Sequence, residues 1–87
     1  MADVHLPATL LPLFPGLERR VEVPAATVLA VIDALDGRFP GLRDRLCEPG
    51  PRLRHHIHVY VERERADLDA ALDAGTRVDV IAAITGG

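Results

Sequence analysis

From Thr27 to Phe39 the apolar residues Val28, Ile32, Leu35 and Phe39 recur at intervals of four, three and four. That spacing draws one stripe along an α-helix and leaves Asp33, Asp36 and Arg38 off it. Thr27 carries a hydroxyl suited to cap the first turn, and Gly37 with Pro40-Gly41 predicts the helix end. The chain holds no second long helical pattern. One apolar stripe needs one apolar surface to cover, and alternating strands on either side of the helix supply it.

Before the helix, Val4, Leu6 and Ala8 alternate with His5 and Pro7, which predicts a first strand. A turn over Leu13–Leu17 leads to a second alternating strand, Arg20–Val23, stopped by Pro24. Two strands joined so closely pair antiparallel. After the helix, Leu42–Leu46 reads as a short extra turn and Glu48-Pro49-Gly50-Pro51 as a rigid loop. His56–Val61 is the strongest strand signal, with Ile57, Val59 and Val61 on one face and His56, His58 and Tyr60 on the other. Glu62–Arg65 reads as a polar turn, and Leu68 and Leu72 as single anchors in an irregular stretch. Asp73-Ala74-Gly75 then turns into a last strand, Arg77–Ile81. The order strand, strand, helix, strand, irregular segment, strand predicts a two-layer α+β domain over residues 1–81, followed by a flexible tail over 82–87. Four to five strands packed on one main helix in this order are the layout of a β-grasp, the ubiquitin-like fold.

At 87 residues there is room for one domain and little room to enclose a catalytic cleft. No apolar run reaches the ~18 residues of a membrane span. The opening Met1-Ala2-Asp3-Val4-His5 lacks a basic stretch, so no secretory leader is expected. All ten basic residues are Arg, interspersed with thirteen acids, and the aromatics are Phe14, Phe39 and Tyr60. That mixture offers neither a basic patch nor a stacking platform for nucleic acid. Cys47 is the single cysteine; with no partner for a disulfide and no Cys/His pairing for zinc, it reads as a small buried hydrophobe in a reducing, cytoplasmic setting. No Ser/His/Asp set, carboxylate dyad or phosphate-cradling loop appears, which argues against an enzyme in its own right.

The chemistry sits at the end of the chain. Ala83-Ile84-Thr85-Gly86-Gly87 closes on two residues without a Cβ, and such a tail can thread a narrow channel in a partner. From Ala82 to Gly87 the extended reach is at most ~20 Å. The Gly87 carboxylate at its tip, with no side chain to obstruct it, is a group that an acyl-activating enzyme can use.

These features together resemble the ThiS/MoaD sulfur carriers, prokaryotic relatives of ubiquitin. The resemblance covers essentially the whole chain: the Thr27–Phe39 helix, Val59-Tyr60-Val61, the Asp73-Ala74-Gly75 turn with Val78-Asp79-Val80-Ile81, and Gly86-Gly87. Ile57-His58-Val59-Tyr60-Val61 and the closing residues look most like the CysO-like branch. Two departures are visible: Glu62-Arg63 replaces the Asn-containing turn usual in the family, and Ala82-Ala83 stands where prolines are common. The resemblance implies a carrier with no bound cofactor. An E1-like adenylating enzyme would use ATP to activate Gly87, a sulfur donor would convert it to a thiocarboxylate, and a sulfur-accepting synthase would take the sulfur for cysteine, molybdopterin, thiamine thiazole or a secondary metabolite such as a thiosugar. Ala83, Ile84, Thr85 and Gly86 would thread into the partner, and His58 and Tyr60 would dock it, with the carrier a monomer when free.

The same end fits a ubiquitin-like modifier conjugated through Gly87, or a β-grasp interaction module with an incidental Gly-Gly terminus. His56 and His58, two apart on a strand, are a conceivable metal pair, but no third or fourth ligand lies near them in sequence, so no metal is expected.

Overall fold

The computed structural model describes residues 1–83. Its main sheet has five strands in the order β2-β1-β7-β5-β6. These are β1 (Ala2–His5), β2 (Arg20–Val23), β5 (Ile57–Val61), β6 (Glu64–Ala66) and β7 (Arg77–Ala82). A separate two-stranded ladder joins β3 (Cys47–Glu48) to β4 (Arg52–Leu53). The helices are α1 (Val28–Arg38) and α2 (Leu42–Leu46). β1 runs antiparallel to β2 and parallel to β7, and β5 runs antiparallel to both β6 and β7. This mixed sheet is the expected β-grasp.

Val28, Ile32 and Leu35 of the expected stripe enter the core and Val31 joins them, whereas Phe39 caps the helix end and is only partly buried. Val28, Val31, Ile32 and Leu35 are buried in one apolar cluster with Val4, Val23, Ile57, Val59, Val78 and Val80 from the sheet. Each such side chain contributes about 1.5–3 kcal/mol of transfer free energy. Thr27 Oγ1 accepts from Ala30 N at 3.1 Å, the expected cap. The next two donors of the first turn are met from outside the helix. Val28 N donates to Ala70 O and Leu29 N to Leu68 O, at 3.1 and 2.9 Å. The stretch read as irregular is therefore the second half of the helix cap, with Leu68 buried beneath it.

Several local expectations change. The first strand stops at His5, because Pro7 has no N–H for the ladder, and Ala8–Leu13 coils into a 3-10 helix that buries Leu10. Gly37 lies inside α1, which runs on to Arg38; the stop is Pro40, which disfavours helical backbone before it. Asp36 Oδ1 then accepts from Gly41 N and Arg43 N at 3.1 and 3.0 Å, starting α2 across a left-handed Gly41 (φ 98°). The loop Glu48–Pro51 is the turn of the β3–β4 ladder. His56 precedes the strand that begins at Ile57. Glu64–Ala66, read as turn, is an edge strand reached through Glu62 and Arg63, both with positive φ (49° and 71°). Two left-handed residues match the right-handed twist of a tight hairpin, a geometry that favours Asn-Gly. Glu62 compensates by latching the turn to β7: its N–H donates to Arg77 O at 2.9 Å and its carboxylate accepts from Arg77 N at 2.8 Å.

Two outcomes test this account by chemical denaturation. Thr27→Ala lowers stability by about 1 kcal/mol through the lost cap. Arg63→Gly raises it by about 1 kcal/mol, because glycine occupies the left-handed region without the Cβ penalty.

Candidate functional site

The strand register sorts the polar residues onto the sheet face opposite α1. Asp3 stands beside Glu22 and Arg77, His5 beside Arg20 and Asp79, Tyr60 beside Asp79 and Arg65, and His58 beside Ile81. The face divides into two halves. Toward β2 and β1 the charges satisfy one another. Arg20 Nε donates to Asp3 Oδ1 at 2.8 Å, His5 Nε2 lies 3.2 Å from Asp3 Oδ2, and Arg77 grips both carboxylate oxygens of Asp79 at 3.0–3.2 Å. The Arg20 hydrogen bond holds the Asp3 carboxyl below its usual range, against the opposing pull of burial, with His5 adding to the lowering. Asp3 in turn raises Arg20, and Asp79 raises Arg77.

The other half carries His58, Tyr60 and Ile81. Ile81 is 45% exposed, one of three large hydrophobic side chains left open among the described residues. His58 and Tyr60 are half-buried beside it. His58 Nδ1 is shielded from solvent and has no hydrogen-bond partner among the described residues. The two docking residues expected from the sequence are thus brought together, and Ile81 joins them. Its signal was present in Arg77-Val78-Asp79-Val80-Ile81, where alternation sets Ile81 on the same side as Arg77 and Asp79. A cavity of about 320 Å³ adjoins it, lined by His5, Pro7, Thr9 and Arg19 as well as Ile81 and Ala82.

β7 runs to Ala82, one residue past the expected Ile81, and Ala83 N donates to His56 O at 2.7 Å. The start of the expected tail is therefore tied to the residue before β5. Ile84, Thr85, Gly86 and Gly87 lie outside the described residues. His56, in the turn before β5, packs edge-on against His55, with ring centroids 5.4 Å apart. Among the described residues no group of three or more His, Cys, Asp or Glu is placed to hold a metal ion. Among them also, no helix is long and apolar enough to cross a membrane. Cys47 is buried at the end of α2, and burial pushes its thiol up, with Arg43 pulling the other way.

Two measurements follow from these geometries. In an NMR titration Asp3 has its midpoint below the ordinary value of about 3.9, and Arg20→Gln moves it upward. Since the folded value lies below the unfolded one, the pair supports the fold above the ordinary aspartate range and loses effect as acid protonates Asp3. Cys47 reacts slowly with iodoacetamide in the folded chain and rapidly in denaturant.

Comparison with known proteins agrees with this geometry. The model of the ThiS family matches residues 4–87. Sulfur carrier protein CysO of Mycobacterium tuberculosis (strain ATCC 25618 / H37Rv) is 29% identical over 90 residues, covering 97% of this chain and 96% of its own. The Amycolatopsis orientalis chain from the crystal structure of the BexX/CysO complex superposes with a TM-score of 0.86 at 33% identity, over 100% of both chains. SAMP1 from Haloferax volcanii superposes with a TM-score of 0.76 at 34% identity, over 99% of this chain and 98% of its own. The chain belongs to the ThiS family of sulfur carriers, on its CysO-like side.

Proposed function

We propose that this sulfur carrier works through Gly87, which an E1-like enzyme activates and a biosynthetic enzyme unloads. The observation that carries the reading is a family match that runs through residue 87, on a domain whose last strand, β7, lies at the centre of the sheet and ends at Ala82. In the first step the Gly87 carboxylate attacks the α-phosphorus of ATP, releasing pyrophosphate and leaving an acyl adenylate. Hydrosulfide then adds to the acyl carbon and expels AMP, which exchanges one carboxyl oxygen for sulfur. The thiocarboxylate is the stronger nucleophile and gives its sulfur to an electrophile held by the acceptor enzyme. The carrier contributes no catalytic group; ATP belongs to the partner.

The described surface suits this role. The exposed Ile81 with half-buried His58 and Tyr60 forms a small amphipathic platform beside the chain exit, of the kind that becomes the dry centre of an interface. Beyond Ala83 the four residues Ile84–Gly87 reach at most ~14 Å, so the partner's reactive centre lies within that distance of Ala83. The complex of the CysO neighbour with BexX supports a partner enzyme that holds the carrier as a folded domain.

The likeness to SAMP1, a small archaeal modifier protein, favours a second reading in which Gly87 forms isopeptides with lysines of other proteins. One experiment separates the two. The chain is incubated with an adenylating enzyme, ATP and sulfide and weighed intact. The carrier gains the mass difference of one sulfur for one oxygen, and deletion of Gly87 abolishes the gain. Covalent higher-mass conjugates without that gain favour the modifier. Ile81→Asp, which places a charge on the platform, raises the KM for the carrier roughly tenfold or more while the fold stays intact.

A further inference from the structure

A cavity of about 630 Å³ opens beside the root of the tail, lined by Arg45, Arg54, His56, Asp44 and Gly41. Four other arginines, Arg20, Arg43, Arg52 and Arg77, each sit within 3.0 Å of a carboxylate. Among the described residues neither Arg45 nor Arg54 has a carboxylate within ion-pair reach, although Asp44 shares the cavity wall. Arg54 is nevertheless held in place. Its Nε donates to the Asp44 backbone oxygen at 2.8 Å, which fixes the guanidinium plane and leaves the terminal nitrogens for another ligand. Two uncompensated guanidinium groups against one carboxylate make the cavity locally positive on a chain whose net charge is −3.

Position supplies the occupant. The His56 side chain lines the cavity while the His56 carbonyl holds Ala83 N, so whatever receives the tail lies against this wall. Arg45 projects from α2 and Arg54 from the turn before β5, and both cations reach the same space from different elements. We infer that the Arg45/Arg54 cavity is a second docking point, which takes a pair of Asp or Glu side chains from the mouth of the partner's tail channel. The inference rests on the carrier reading above. Guanidinium suits this work because its planar fork meets a carboxylate with two parallel hydrogen bonds. Charge contacts of this kind act mainly on the rate and register of association, complementing the apolar platform on the sheet face.

The test uses the full chain and the E1-like adenylating enzyme that forms the thiocarboxylate, with association followed at low and high salt. Arg45→Gln/Arg54→Gln slows association roughly tenfold at low salt, and the difference closes at high salt. Arg45→Lys/Arg54→Lys, which keeps the charges, recovers part of the rate. Arg38→Gln/Arg63→Gln, which removes the same charge from α1 and the distant hairpin turn, associates like the parent. Thermal melting checks folding, and Arg45→Gln alone, at an exposed position, serves if loss of the Arg54 bond unfolds the double variant. A double variant that associates as fast as the parent overturns the inference, as does a control that slows equally. A parent chain that gains no sulfur at all overturns the carrier reading instead, so the two failures are distinct.

Discussion

The parallel pairing of β1 with β7 governs this molecule. It sets the chain's first strand against its last and places β7 between β1 and β5, bonded on both sides. Val4 faces Val78 across this pair, and both are fully buried. The pairing is clamped where β7 begins: Gly75 N donates to Met1 O and Asp3 N to Thr76 O, each at 2.8 Å. Gly75 turns there with φ 79°, a left-handed conformation natural to glycine. A sheet with its terminal strand at the centre releases the chain end from its most heavily bonded part.

The same arrangement explains why one helix suffices. Everything between β2 and β5 has to cross one face of the sheet, and α1 does so with its stripe over Val4, Val59, Val78 and Val80. Its N-terminus is held by carbonyls of the segment that returns toward β7, through Val28 N to Ala70 O and Leu29 N to Leu68 O. Leu72 N completes the tie by donating to Ala26 O at 2.9 Å. Helix capping and the approach to the central strand are therefore one structure. Disturbing residues 67–72 acts on both the helix and the strand that carries the chain end.

How much of this was legible depended on whether a residue's neighbours lay near it in sequence. The α1 stripe and its Thr27 cap were readable because helix contacts are local, and the central strands because Ile57-His58-Val59 and Val78-Asp79-Val80 alternate cleanly. β6 was hidden because an edge strand such as Glu64-Arg65-Ala66 has no buried face to impose alternation. The β3–β4 ladder was hidden by length, two residues a side amid Pro and Gly. His58 and Tyr60, the residues proposed to dock a partner, were visible as a strand face, but the β5–β7 register was needed to set Ile81 beside His58. The Arg45/Arg54 cavity was invisible, since nothing local in the sequence distinguishes these two arginines from Arg43 and Arg52, which are paired with Asp33 and Glu48.

The absence of lysine bears on the proposed chemistry at Gly87. An acyl adenylate is open to any amine within reach, and a carrier activated this way risks acylating itself. Within the 87 residues every cationic side chain is Arg. A guanidinium stays protonated and delocalised at neutral pH, so it binds carboxylates without attacking an acyl group. An amine at Met1 would lie far from the tail, since the Met1 carbonyl accepts from Gly75 N at the opposite end of β7 from Ala83. β7 alone, from Arg77 to Ala82, spans roughly 17 Å at ~3.3 Å per residue. The four residues beyond Ala83 cover at most ~14 Å, so the activated carbon falls short of that amine even at full extension. In the proposed chemistry, the sheet topology that ends β7 away from Met1 thus also keeps the activated carbon away from that end of the chain.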